Sequence, residues 1–170
     1  SVNLLSAGDI LVDHAEAVTN FTAIAGLAFT TSLNSIITGG DIVIDAGGPV
    51  ALGNSSAGGL IDVNGSQIDF ASLVAGTTIE LSTVPPRLTA GGTGDITGGS
   101  IEAGAGVSSL VTTAGDIALS GDASADGDLF LIANGGSIAL GGQASVGGLL
   151  SLSAGTTIAA GDLASATGDV

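Results

Sequence analysis

The sequence predicts an all-β chain wound as a parallel β-helix, a β-solenoid of about 20 residues per coil. Three observations lead there. Two aliphatic series recur at nearly constant spacing, residues alternate with period two inside each recurrence, and glycine clusters punctuate the strands. The first series is Ile42, Ile61, Ile79, Ile96, Ile117, Ile138 and Ile158, with steps of 19, 18, 17, 21, 21 and 20 residues. The second, out of phase with it, is Leu52, Phe70, Leu88, Leu110, Leu131 and Leu152, with steps of 18, 18, 22, 21 and 21. Stacked coils would put Ile over Ile and Leu over Leu, and Ile42, Ile61, Ile79, Ile117, Ile138 and Ile158 are expected to form a single interior column.

Within a recurrence, Ile42-Val43-Ile44, Ile79-Glu80-Leu81, Ile117-Ala118-Leu119 and Ile138-Ala139-Leu140 put an aliphatic pair on one face and a variable residue on the other. That is strand alternation. Gly39-Gly40, Gly47-Gly48, Gly58-Gly59, Gly91-Gly92, Gly98-Gly99, Gly135-Gly136, Gly141-Gly142 and Gly147-Gly148 mark the turns. Glycine is expected there for its access to positive φ. Short strands at regular spacing fit a sandwich, a barrel or a solenoid, and the fixed period selects the solenoid. Eight to nine coils would make a rod on the order of 40 Å long, at about 4.8 Å per coil.

The whole chain, 1–170, reads as one solenoid segment, with 1–38 as irregular N-terminal coils and 39–170 as regular repeats. Around Asp13-His14-Ala15-Glu16 there is no turn signal, so 11–38 reads as an irregular coil with a side excursion or a short helix. Val84-Pro85-Pro86-Arg87 is a second interruption, because consecutive prolines cannot donate to a ladder. The chain starts at Ser1 without a signal-peptide pattern and stops inside a recurring phrase, Gly168-Asp169-Val170, so it reads as a piece of something longer.

Composition narrows function. A single cationic residue, Arg87, stands against 16 acidic ones for a formal charge of -15. Such a chain has no basic patch for nucleic acid or an anionic membrane. With no Cys there are no disulfides or thiolate metal sites. Mean hydropathy is +0.67, too apolar for a disordered acidic tail, yet no run of some 18 apolar residues could span a bilayer as a helix.

Phrases such as Ala125-Asp126-Gly127-Asp128-Leu129-Phe130-Leu131-Ile132-Ala133-Asn134-Gly135-Gly136-Ser137-Ile138-Ala139-Leu140, and Gly148-Leu149-Leu150-Ser151-Leu152-Ser153-Ala154-Gly155-Thr156-Thr157-Ile158, carry a resemblance. The sequence resembles the repeats of filamentous haemagglutinin-like exoproteins, giant bacterial surface and secreted adhesins. The resemblance covers 39–170 and implies a right-handed parallel β-helix serving as an adhesin stalk. It brings no catalytic or binding residues, and the family's asparagine-rich secretion motif is absent.

Candidate chemistry is sparse. Gly-Asp-aliphatic recurs at Asp9, Asp41, Asp95, Asp116, Asp128, Asp162 and Asp169. Stacked coils could align some of these carboxylates about 5 Å apart, a row that repels itself unless cations bind it or each Asp caps turn amides. The Ca²⁺ candidates are therefore Asp41, Asp95, Asp116, Asp128 and Asp162. Turn capping, with each Asp bonded to amides two residues on, is the plainer expectation. The doublets Thr30-Thr31, Thr77-Thr78, Thr112-Thr113 and Thr156-Thr157 are too sparse to line an ice-binding face. His14 between Asp13 and Glu16 lacks a second ligand, and Arg87 alone cannot serve a uronate lyase. A Ser or Thr nucleophile has only His14 as a base.

The expected role is a structural rod in an extracellular bacterial adhesin or surface filament, without catalytic residues or a cofactor. Its partners would be flanking repeats or identical subunits stacked end to end. A glycan- or Ca²⁺-binding face is the alternative. Neither nucleic-acid binding nor membrane insertion is expected.

Overall fold

A computed structural model of the chain describes residues 1–31, 36–83 and 94–166. Among these, every regular element is a strand, and all strand pairings are parallel between successive coils. The first coil contains β1 (Val2–Ser6), β2 (Ile10–Val12) and β3 (Ala15–Ala17), and the second contains β4 (Phe21–Ala25), β5 (Phe29–Thr31) and β6 (Ile36–Thr38). Three coils follow with one short and one long strand each: β7 (Ile42–Ala46) with β8 (Val50–Ala57), β9 (Ile61–Asn64) with β10 (Ile68–Ala75), and β11 (Ile79–Ser82) with β12 (Ile96–Ala103). The last three return to three strands. These are β13 (Val107–Thr112), β14 (Ile117–Leu119) and β15 (Ala123–Ala125); β16 (Asp128–Ala133), β17 (Ile138–Leu140) and β18 (Ala144–Val146); and β19 (Leu150–Ala154), β20 (Ile158–Ala160) and β21 (Leu163–Ser165).

The result is a β-solenoid of roughly 21 residues per coil. The first strand of every coil joins an eight-stranded sheet, β1-β4-β7-β9-β11-β13-β16-β19. The remaining 13 strands form a second sheet that covers the other two sides. It bends continuously in the middle, because β8, β10 and β12 run round the corner unbroken. In β8 the inward residues Val50 and Leu52 are followed by Ser55 and Ala57, so a three-residue step turns the strand. Seven inter-coil steps at about 4.8 Å put the eight rungs over roughly 34 Å.

Alternation places the core. In β4, Phe21, Ala23 and Ala25 point inward while Thr22 and Ile24 point out. Phe21 and Phe29 meet edge to face across the interior, with centroids 6.1 Å apart, and the small Ala23 and Ala25 beside them leave room. Phe70 has a different accommodation. Its register partner in the next coil is Gly98, and a Cβ on Gly98 would collide with the Phe70 ring. One large side chain thus fills two rungs.

Three expectations are corrected. Residues 1–31 and 36–38 are not irregular and contain no helix: β1 pairs with β4, β2 with β5 and β3 with β6 in full register. The expected Ile series is not one column. Ile42, Ile61 and Ile79 stack in the eight-stranded sheet, whereas Ile96, Ile117, Ile138 and Ile158 stack in the other, below Ile68. The Leu series divides the same way, with Leu52 and Phe70 in the second sheet and Leu110, Leu131 and Leu152 in the first; Leu88 lies outside the described residues. The cause is one long coil. Ile68 to its partner Ile96 is 28 residues, so the pattern slips by about a third of a coil, one side of the solenoid, and a ladder counted in twenties passes from one sheet to the other. Last, glycine does not supply positive φ throughout. Among the described residues only Gly106 does so, at +150°.

Candidate functional site

The glycines and aspartates at the corners work together across coils. Asp116 Oδ1 accepts from the Ser137 amide at 2.7 Å, one coil ahead rather than two residues on. The same clasp joins Asp9 to Ala28 at 2.9 Å, Asp41 to Leu60 at 3.0 Å, Asp95 to Asp116 at 2.8 Å and Asp128 to Leu149 at 2.8 Å. Each Asp stands just ahead of the first inward residue of a strand, where the next coil's amide would otherwise face solvent. The neighbouring glycine is the receiving surface. A Cβ on Gly136 would lie 2.6 Å from Asp116 Oδ1, and one on Gly142 would lie 2.5 Å from Asp122 Oδ1. Cβ atoms on Gly59 and Gly148 would run into the carboxylates of Asp41 and Asp128. The glycine before a clasped residue therefore admits the carboxylate from the coil before, and at Gly40-Asp41 the two roles meet: Gly40 admits Asn20 Oδ1 from the coil before, and Asp41 clasps Leu60 in the coil after.

Two clasps escaped the sequence reading. Asn20 Oδ1 accepts from the Asp41 amide at 3.2 Å, and Asp122 Oδ1 from the Gln143 amide at 2.9 Å. Both occupy the same pre-strand position, but Phe21 and Ala123 follow them in place of Ile or Leu. Searching for any Asx before a strand's first inward residue would have found them.

The Ca²⁺ candidates do not form one row. Asp41 and Asp128 lie on the corner before the eight-stranded sheet, Asp95 and Asp116 on the next corner, and Asp162 on the third, in line with Asp122 and Gln143. Only Asp95 and Asp116 are neighbours, and Asp95 spends Oδ1 on the Asp116 amide. Elsewhere, Asp62 and Glu80 are register partners on the outer face of the eight-stranded sheet, and Asn64 donates to Asp62 Oδ1 at 3.2 Å. No group of three or more His, Cys, Asp or Glu with metal-holding geometry occurs among the described residues.

His14 lies on the exposed corner before β3, its Nε2 3.2 Å from Glu16 Oε1. Arg87, Pro85, Pro86 and Asp169 fall outside the described residues. In the Thr doublets, Thr31 and Thr112 turn inward rather than lining a face: Thr31 accepts from the Gly53 amide at 2.7 Å, and Thr112 donates to the Gly94 carbonyl at 3.0 Å. Ser108 occupies the core position that Ile79 holds one coil earlier, and its Oγ accepts from the Ile79 amide at 3.1 Å. It takes the place of the backbone carbonyl that accepts from the equivalent amides of Ile42 and Ile61.

A shallow hollow of about 590 Å³ runs along the third side, past Val74, Glu102, Ser124, Asp126 and Ser145. Its walls are small side chains and two carboxylates, with no aromatic surface. Among the described residues no helix is long and apolar enough to cross a membrane. Compared with known proteins, the chain matches no protein family, no curated protein and no solved structure.

Proposed function

We propose that the chain is a structural rod, a spacer segment of an extracellular bacterial adhesin or surface filament, with no catalytic role. The observation that supports it is the continuity of inter-coil bonding. Among the described residues each side of the solenoid is laddered by backbone hydrogen bonds, which continue at many corners, and seven Asx side chains clasp corner amides of the following coil. A repeat array whose coils touch only their neighbours resists bending and stretching through the sum of those interfaces. Its acidic exterior favours solubility and disfavours phosphate-bearing partners. The resemblance to haemagglutinin-like repeats supports the adhesin setting.

Small-angle scattering and rotary-shadowed electron microscopy test the rod. The expected particle is elongated, with one axis near the roughly 34 Å set by seven steps and a constant cross-section. A spherical particle would refute it. Calorimetry with Ca²⁺ tests the alternative binding face: the rod reading expects no heat and an unchanged melting temperature, and saturable stabilisation would favour the binding module.

A further inference from the structure

The sequence carries Asn-x-Ser/Thr three times, at Asn20-Phe21-Thr22, Asn54-Ser55-Ser56 and Asn64-Gly65-Ser66. This tripeptide accepts an asparagine-linked sugar when its amide lies exposed on an extracellular chain. The solenoid treats the three amides differently. Asn20 holds a corner clasp: its Oδ1 accepts from the Asp41 amide at 3.2 Å, and Gly40 leaves it room. Asn64 is half-buried with Asp45 as a register partner. Its Nδ2, the atom that would take a sugar, donates to Asp62 Oδ1 at 3.2 Å. Asn54 is exposed at the bend of β8, and among the described residues no hydrogen bond engages its amide.

The surroundings of Asn54 leave space and offer an apolar surface. Ser55 turns into the core, so Asn54 and Ser56 share the outward face, and the hydroxyl of the tripeptide lies on the side of its amide. The next two residues in the Asn54 column are the small Ser72 and Ser100, joined through their hydroxyls at 3.1 Å. On the third side Ser56 lies between Ile37 and Val74, its register partners in the coils before and after. Ile37 is 44% exposed and Val74 36% exposed. With Asn54, Ser56 and Ser72 they border a shallow hollow of about 130 Å³. Two aliphatic side chains two rungs apart thus form a shelf beside the open amide. These residues belong to the second, third and fourth coils, with a described coil on either side.

We propose that Asn54 is a glycosylation site, carrying on Nδ2 a neutral sugar that lies over Ile37 and Val74. This rests on the extracellular setting of the rod reading and adds a covalent modification to it. The sugar is neutral because a chain of charge -15 repels an acidic one. Seated on the shelf, its apolar ring face removes aliphatic surface from water. The transfer forms a bond between Asn54 Nδ2 and the anomeric carbon of an activated sugar. It breaks that carbon's bond to the phosphate of a nucleotide or lipid carrier, and one Nδ2 proton passes to a base of the transferase.

The test is peptide mapping by mass spectrometry of the full chain isolated from the cells that make it. Asn54 should carry the sugar, with Asn20 and Asn64 bare. Sugar on all three alike, or on either of the others in place of Asn54, overturns the assignment. In the same cells Ser56→Ala should lose the modification and Ser56→Thr should keep it, both variants giving the β circular dichroism spectrum. A sugar retained by Ser56→Ala overturns the site. Enzymatic removal of the sugar should shift the methyl resonances of Ile37 and Val74 and leave those of Ile24, on another side, in place. Unmoved Ile37 and Val74 signals overturn the seating. A bare chain that keeps its rod dimensions in scattering overturns the site and leaves the rod reading standing. A chain glycosylated at Asn54 that is not a rod does the reverse.

Discussion

The Asp116 clasp can be removed without touching the core. Asp116→Ala deletes the oxygen that accepts from the Ser137 amide at 2.7 Å, while Asp116→Asn keeps an acceptor in place, as Asn20 does natively for Asp41. Both substitutions remove one negative charge from a chain of -15, so any relief of self-repulsion cancels between them. The difference isolates the hydrogen bond. The site is solvent-exposed, so the loss should be near the middle of the range for such bonds, about 1 kcal/mol. In a chain of this size that is roughly 2–4 °C in melting temperature. Unfolding of a repeat array need not be two-state, so amide exchange is the sharper assay. In Asp116→Ala the Ser137 amide should exchange about fivefold faster, as 1 kcal/mol implies, with the Ile138 and Leu140 amides unchanged. If Ala and Asn variants show identical Ser137 protection, the carboxylate is not clasping that amide, and the account given for the Gly-Asp phrase fails.

Other consequences follow from the packing. Gly98→Ala should cost about 1–3 kcal/mol by overpacking against Phe70, and Phe70→Leu should recover at least about 0.5 kcal/mol of that in the double variant, measured by a denaturant double-mutant cycle. Ser55 lies in the column of Ile36 and Leu73, and its Oγ has no hydrogen-bond partner; Ser55→Ala should therefore raise stability by about 1 kcal/mol, and a destabilised variant would show that the hydroxyl is satisfied. Thr83 Oγ1 donates to the Gly94 carbonyl at 3.1 Å, so the two ends of segment 84–93 adjoin. Replacing that segment with Gly-Asn should preserve the circular dichroism spectrum and shift the melting temperature by no more than a few degrees; loss of the β signal would show that the segment holds the coils together.

The architecture was legible because a solenoid writes its geometry into one dimension. Alternation in Ile117-Ala118-Leu119 and Ile138-Ala139-Leu140 specifies a strand with one buried face, and a 21-residue repeat of that unit stacks each aliphatic on its counterpart. The N-terminal coils were harder to read because Phe21, Ala23 and Ala25 do in one coil what Ile42, Ile44 and Ala46 do in the next. The interior accepts a large residue beside small ones at constant volume, which removes the Ile signal without removing the coil. The corner chemistry was half legible. Capping by Asp was expected, but the capped amide belongs to the following coil, and a repeated Gly-Asp phrase cannot by itself say which of two equivalent amides lies nearer.

What the sequence determined alone was therefore the strand period, the coil length and the aliphatic core, since each depends on local spacing. Which column a residue joins was decided only by the tertiary structure. Ile79 and Ile96 look like consecutive rungs, yet one stacks with Ile61 in the first sheet and the other with Ile68 in the second. A long coil between them changes the phase without changing the motif, and phase is a property of the whole winding that no single repeat contains.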